Sequence, residues 1–495
     1  LEEANRIAEQ LINEINEIEF NESFIDRLPF FQNNKSNNSE LKKTLKFICR
    51  EVYLRLIQTD DEKRFLIKGL NGEFILPSLG GNPSRGNIKL LPTGRNFYSI
   101  NPEEIPSKAA YETGKKLADI QLKAYYKKHK AYPKNIAIIV YSTNTMKTYG
   151  EDIGEIFFLM GVRPLYIKNT QTVCGVEVIP LEELGRPRID VTMRISGLFR
   201  DSFPNLIFLM DEAVNAVAFL DEDDEMNPIK KNIQETIKKF VDEGIHPDKA
   251  RDRASVRVFS APSGTYGAGV ANLIESKKWQ NFEDLAEAYI TWSSHAYSKK
   301  FHGEKDTRVF ENLLSKTNMT IKNEVSREID LLDCDDFYNY HGGLIAAVTA
   351  KSGKKPYVSV GNTADINIPE TITLDQETAR VMRSRILNPK WVKGLKEHSY
   401  KGAQEISKVM DNIFGWDATA DNVENWMYED FANTFLFDED TLNWIRSVNK
   451  NAAYQISERL LEANQRKMWD AKPESLEKLK RIFLDMEADL ESYGE

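Results

Sequence analysis

The sequence is poor in cysteine, in long apolar runs and in positive charge, and each shortage narrows what the chain can do. Only Cys49, Cys174 and Cys334 occur, far apart, so they supply neither a paired disulfide framework nor a CxxC metal knuckle. A reducing cytoplasm is the expected setting. No stretch of about 18 or more apolar residues is present and no signal-peptide pattern opens the chain, so neither a membrane span nor export is expected. The formal net charge of -10, with no strongly basic segment, argues against a dedicated nucleic-acid binder. No GxxxxGK[ST] occurs, which removes a Walker phosphate loop, and no GxGxxG follows a strand, which argues against an oxidoreductase using a dinucleotide. No internal repeat recurs at a fixed period.

What remains is an ordinary folded composition: 495 residues, 41% hydrophobic and 29% charged, a length that fits about three domains. The chain opens at Leu1 directly into the helical pattern "EANRIAEQLINEI", which points to a longer polypeptide that has been trimmed.

Four regions are expected. Residues 1–68 carry apolar residues at helical spacing around the polar loop "QNNKSNNSE" and read as a helical segment continuing from an absent N-terminal part. Residues 69–133 are a Gly/Pro-punctuated connector plus a helix; so long an irregular stretch is usually functional. Residues 134–260 alternate strands ("NIAIIVYS", "RPLYI", "GVEVIPL", "IDVTMRIS") with helices, which predicts a flavodoxin-like, doubly wound α/β domain with a mainly parallel sheet. Residues 261–495 read as mainly helical, with a short strand at "PYVSVG".

Within "LGRPRIDVTMRISGLFRDSFPNLI", Arg200 and Asp201 are expected in the loop at a strand's carboxyl end, where α/β sites are built. An ion pair of Arg200 with Asp201 or Asp190 is the equal alternative. Arg186 and Arg188 lie at the opposite end and read as structural. "GTYGAGVANL" can present backbone N–H groups to an anion, or be a plain turn. His341 in "YNYHGG" has two glycines after it and Asp333, Asp335 and Asp336 before it; it can hold a divalent ion or accept protons, or simply be satisfied by hydrogen bonds. His398 neighbours a cationic patch of Lys393, Lys396 and Lys401, which suits carboxylates or is a solvated helix face.

The ordered segments "LPTGRNFYSINPEEIP", "KTYGEDIGEIFFLMGVRP", "PLEELGRPRIDVTMRISGLFRDSFPNLI", "RVFSAPSGTYGAG", "DDFYNYHGGLIAAV", "NPKWVKGLKEHSYKGAQEI" and "LLEANQRKMW" resemble the large-subunit family shared by cobaltochelatase (CobN type) and magnesium chelatase (H subunit). The resemblance spans roughly residues 75–470, and its family members are longer, so the chain looks like a C-terminal fragment. "YNYHGGLIAAV" and "KEHSYKGAQEI" are similar to the cobalt branch, and the ending "WDAKPESLEKLKRIFLDMEADLES" to the magnesium branch; the balance favours cobalt.

The resemblance implies a ligase that forms nitrogen–metal bonds: a large subunit that binds tetrapyrrole and metal, while a AAA+ ATPase subunit and an integrin-domain subunit hydrolyse ATP that is not bound here. The cobalt substrate is hydrogenobyrinate a,c-diamide with Co2+; the alternative is protoporphyrin IX with Mg2+, or a tetrapyrrole-binding module without chelation. Such chemistry needs proton acceptors facing a cationic rim. His341, Asp201 and Glu151, with Asp152 behind them, are the candidate bases. Arg200, Arg95, Lys401 and Tyr266 are the candidate contacts to a carboxylate-edged macrocycle, Arg pairing bidentately. His341 and His398 are the candidate metal ligands, since imidazole suits Co2+ better than Mg2+.

Overall fold

The structure, a computed structural model, describes residues 2–33, 39–80, 83, 88–98 and 100–491. The middle of the polar loop, 34–38, and parts of the irregular connector, 81–82, 84–87 and 99, lie outside the described residues. The chain divides into two compact units, residues 1–100 and 101–495.

In the first unit, helices Glu2–Glu17 and Ser39–Phe47 and the turns around them bury Leu11, Ile15, Ile25, Leu28, Leu45 and Cys49 in a small core of their own. Within the irregular stretch, strands β1 (Pro77–Leu79) and β2 (Asn96–Tyr98) pair in parallel. Such short strands leave no periodicity in the sequence to read.

The second unit contains β3 (Asn135–Val140), β4 (Val162–Tyr166), β5 (Val173–Val178), β6 (Asp190–Ile195), β7 (Val258–Ser260), β8 (His295–Tyr297), β9 (His302–Lys305), β10 (Met319–Glu324), β11 (Tyr357–Asn362) and β12 (Glu370–Thr373). Eight of them form one sheet in the order β12-β11-β10-β3-β6-β7-β8-β9. The five central strands are parallel, and antiparallel strands close both edges. The fold is thus α/β with a doubly wound, mainly parallel sheet and a large helix-rich region. The apolar run of β3 and the alternating residues of β6 are buried along almost their whole length, as helices on both faces of a parallel sheet require.

Two departures from the sequence-based expectation have local causes. Strands β4 and β5 pair only with each other, antiparallel, outside the main sheet. Their burial alternates with exposed residues such as Leu165, which suits a sheet with one wet face. The sheet also takes β8 to β12 from beyond residue 261, where only "PYVSVG" (now β11) was expected as strand. Among these, β10 reads "MTIKNE", polar at every second position yet buried throughout, so its text does not look like a core strand.

Arg186 and Arg188 close the helix Glu151–Met160. Arg186 donates to the carbonyls of Phe158 and Leu159, and Arg188 to those of Met160, Gly161 and Ile179. All but that of Ile179 are carbonyls of the helix end, where cations are favoured. The structural role read for both residues is the one the geometry shows. The C-terminal helices from Ser399–Ala420 to Pro473–Glu491 continue the core of the sheet, burying Trp416, Tyr428 and Trp469 in one hydrophobic cluster with β3 and β11 residues.

Candidate functional site

In open α/β sheets ligands bind beyond the carboxyl ends of the strands, where the strand order reverses. Here the chain builds outward from β3 through β6 to β7, then returns to lay β10 on the other side of β3, so the reversal lies between β3 and β10. The polar residues of β10 put chemistry there on both faces, because side chains alternate along a strand.

On one face, Asn323 Nδ2 donates to Asp152 Oδ1 (2.8 Å) and to Glu155 Oε2 (2.5 Å), while its Oδ1 accepts from Gln121 Nε2 at 3.1 Å. Glu151, one helical turn before Glu155, accepts a hydrogen bond from Thr363 Oγ1 at 2.6 Å, just past β11. All three carboxyls are buried in the first turns of the helix Glu151–Met160, where the aligned amides favour negative charge. Burial, and then the neighbouring Asp152 carboxylate, push Glu155 well above the ordinary carboxyl range. Gly361 makes room for the amide pair: a Cβ there would stand 2.2 Å from Asn323 Oδ1 and 2.7 Å from Gln121 Nε2.

On the other face, Lys322 and Glu324 form a buried ion pair. The Lys322 ammonium lies 3.6 Å from the centroid of the Phe337 ring, a cation–π contact strengthened by desolvation. At the end of β3, Tyr141 donates its hydroxyl to the Asp336 carbonyl at 3.0 Å. His341 sits in the π-helical turn Tyr338–Gly342 and is 1% exposed. Its Nε2 is 3.2 Å from Thr320 Oγ1 and its ring meets Trp416 edge-on, while Nδ1 has no partner among the described residues. Burial, assisted by the Lys322 charge, lowers its pKa to about 3, so the imidazole is neutral, the form that ligates metals, and too weak a base to serve as the proton acceptor expected from the sequence. The two glycines after it serve packing: a Cβ on Gly342 would strike Thr419, and one on Gly343 would strike Tyr289.

Arg200, Asp201 and Tyr266 come together at the end of β6. The pair does not sit in a loop; it lies in the short helix Gly197–Ser202, capped by Ser196. Arg200 is 5% exposed and fully engaged: Nε and one terminal nitrogen hold Asp201 (2.7 and 2.9 Å), and the other donates to the carbonyls of Ala261, Pro262 and Thr265. The ion-pair alternative is therefore present. Tyr266, 59% exposed, donates its hydroxyl to Asp201 Oδ2 at 2.8 Å. The Arg200 bonds hold the Asp201 carboxyl below its usual range, so Asp201 is a half-exposed, ionised carboxylate.

The glycine-rich segment is a turn. The first amides of the helix Val270–Glu275 are taken by Asn339 Oδ1, and the Gly267 N–H by the Tyr340 hydroxyl. Arg194, buried in β6, donates to the Gly267 carbonyl and stacks over the Tyr340 ring. Lys401 is exposed and paired with Glu405 at 2.7 Å, and His398 is exposed at the turn before the helix Ser399–Ala420. Arg95 is an exposed residue of the first unit. Among the described residues, no three His, Cys, Asp or Glu side chains are grouped to hold a metal ion. Reading the sequence singled out Glu151 and Asp152 but missed Asn323, Gln121, Glu155 and the Lys322–Glu324 pair. The one available signal was Glu155 itself, a carboxyl inside the apolar run "IGEIFFLM".

Comparison with known proteins adds the identity of the fold. The family model described as CobN/Magnesium Chelatase matches residues 1–476. The chain belongs to this family. An uncharacterised protein of Methanocaldococcus jannaschii is 46% identical over 491 residues, 99% of this chain and 39% of that one. The aerobic cobaltochelatase subunit CobN of a Sinorhizobium species is 40% identical, across 83% of this chain and 32% of its own length. The chloroplastic magnesium-chelatase subunit ChlH of japonica rice is 34% identical, across 88% and 31%. A solved structure, the catalytic subunit of cobaltochelatase from Mycobacterium tuberculosis, superposes with a TM-score of 0.92 at 36% identity, covering 98% of this chain and 40% of that one. The chain thus spans about a third to two-fifths of the length of the relatives it matches.

Proposed function

We propose that this chain is part of the large subunit of an ATP-dependent tetrapyrrole metal chelatase that inserts Co2+ into hydrogenobyrinate a,c-diamide in cobalamin biosynthesis, a cytoplasmic reaction. The observation that carries the reading is the likeness, over 98% of the chain, to a cobaltochelatase catalytic subunit. The higher identity to a CobN protein than to a ChlH protein, 40% against 34%, favours cobalt over magnesium. ATP is hydrolysed by a AAA+ subunit working with an integrin-domain subunit.

Insertion strips water from the ion and removes the inner N–H protons of the macrocycle, so the site must supply bases that are ionised or neutral, not already protonated. Asp201 meets this by its pairing with Arg200, and Glu151 stands at a helix N-terminus, where negative charge is favoured. His341, neutral with one free ring nitrogen, is the candidate ligand for the entering Co2+, a borderline metal suited to imidazole; His398 is the surface candidate. Tyr266 offers an exposed ring to the macrocycle. Lys401 and Arg95 offer charge to its carboxylates, and Arg200 acts by holding Asp201 in place.

The test is reconstitution of the full-length protein with its AAA+ and integrin-domain subunits, following insertion by absorbance. Co2+ insertion that requires ATP is expected. Insertion of Mg2+ into protoporphyrin IX in its place would assign the magnesium activity, and tetrapyrrole binding with no insertion of either metal would make the protein a binding module. His341→Ala is expected to slow insertion at limiting Co2+; an unchanged rate removes His341 from the site.

A further inference from the structure

Glu155, in the cluster with Glu151 and Asp152, is short of hydrogen-bond donors. Asn323 has two amide hydrogens and gives one to Asp152 and one to Glu155. Glu155 Oε1 and Gln121 Oε1, on side chains with no exposed surface, have no donor among the described residues. A buried carboxylate left so poorly bonded is costly, and such a group takes up a proton in preference to remaining charged.

Against the burial of Glu155 and its acidic neighbours, the hydrogen bond from Asn323 is, among the described residues, the one interaction acting to keep it ionised. Its own helix brings the carboxyls of Asp152 and Glu151. The packed helix Lys108–His129 brings the neutral Gln121, β10 the neutral Asn323, and β11 only Gly361. Lys322 and Glu324, the charged residues of β10, alternate onto the other face of the sheet. Among the described residues, no cation is one of the groups acting on Glu155.

We propose that Glu155 is a positioning residue that carries a proton at neutral pH, joined to Asp152 through the Asn323 amide, so that the negative charge of the cluster is left to Glu151 and Asp152. The proton is inferred from this chain alone; only its role in setting the bases rests on the chelatase reading. A neutral Glu155 lets Asn323 bond both carboxyls without placing a third charge beside Glu151.

The test uses Glu155→Gln, a neutral isostere of the protonated acid. In the 495-residue chain, wild type is expected to show an infrared band of a protonated carboxyl at neutral pH that is lost in E155Q. Because the folded state holds this proton more tightly than the unfolded state, the contribution of Glu155 to stability falls as pH rises above the unfolded carboxyl value of about 4.3. The melting temperature of E155Q is therefore expected to gain on wild type between about pH 5 and pH 8. Parallel curves, or an unchanged infrared spectrum, would show Glu155 to be ionised and overturn the proposal.

Asp152→Asn provides a second variant should E155Q fold poorly. Removing the like charge weakens the hold on the Glu155 proton, so the pH-dependent loss of stability is expected to end at lower pH, and a profile superimposable on wild type counts against the pair. In the reconstituted chelatase, the alkaline limb of the insertion pH profile is expected in wild type and absent in E155Q. An identical profile shape in both removes the positioning role. If no metal is inserted by either protein, the chelatase reading fails while the infrared and melting measurements still decide on the proton.

Discussion

Arg186, Arg188, Arg194 and Arg200 are all buried, and each donates to backbone carbonyls. Arg188 is the most committed: its side chain has no exposed surface, and it also holds Glu222 through two bonds of 2.8 and 2.7 Å. Arg188→Met would strand a largely buried carboxylate and several carbonyls, and removing one partner of a buried pair typically costs about 3–5 kcal/mol. Chemical denaturation of the variant should show a loss of that order; a loss below about 1 kcal/mol, the size of an exposed pair, would mean that the site relaxes around the gap. Asp417 makes a pH prediction at the same scale. It is buried, accepts the Tyr428 hydroxyl at 2.8 Å, and burial raises its pKa to about 7. The unfolded chain gives up this proton near pH 4 (about 3.9) and the folded chain keeps it to about 7. Stability from this group is therefore full at low pH and declines across that window. Asp417→Asn should match wild type in melting temperature near pH 4 and exceed it above pH 7 (order of magnitude); an advantage constant with pH would contradict the raised value.

Helix packing carries the carboxyl cluster into place. The helices Lys108–His129 and Glu151–Met160 cross where Gly114 and Gly154 face the opposing backbone: a Cβ on Gly154 would lie 2.7 Å from the Tyr111 Cα, and one on Gly114 would lie 2.4 Å from the Glu151 carbonyl oxygen. Neither obstacle is a flexible side chain, so Gly154→Ala must push the helices apart. Overpacking of this kind typically costs about 1–3 kcal/mol. It should also disturb Glu151, Asp152 and Glu155 together, read out as a lower melting temperature accompanied by loss of the pH-dependent difference between wild type and E155Q. An element-level view also shows what the sequence discloses. Strand β3 announces itself because both faces are apolar, and β6 because Val191, Met193 and Ile195 alternate with polar residues at strand period. Strand β10 hides because Lys322 and Glu324 are buried as a pair with each other, and Asn323 against residues far away in sequence, Gln121 and Asp152 among them. Period and propensity see only local text, so a strand whose polar side chains are satisfied at long range reads as a loop. The same limit applies at Arg200: its position at the end of β6 was legible, but the three carbonyls that occupy it come from residues 261–265.

For the molecule as a whole, the doubly wound sheet and its reversal between β3 and β10 place polar groups on both faces of one strand, while no Walker phosphate loop occurs anywhere in the sequence. Under the proposed function these groups would hold and deprotonate the macrocycle, and nucleotide hydrolysis would fall to a partner. The division predicts how the isolated chain responds to ligands. A ligand that binds only the folded state raises stability by about 2.7 kcal/mol when present at roughly 100 times its Kd. MgATP should therefore leave the melting temperature of the 495-residue chain unchanged. A dose-dependent rise with MgATP would place a nucleotide site in this chain and overturn the division, whatever the metal inserted. A rise with a carboxylate-rich tetrapyrrole but not with its ester, in the same chain, would locate macrocycle recognition in the portion described, with charged contacts such as Lys401 carrying part of it. Lys401→Glu should then shrink the tetrapyrrole-induced rise while leaving the unfolding free energy of the free protein within about 0.5 kcal/mol of wild type, because Lys401 is exposed and its pairing with Glu405 is a surface pair.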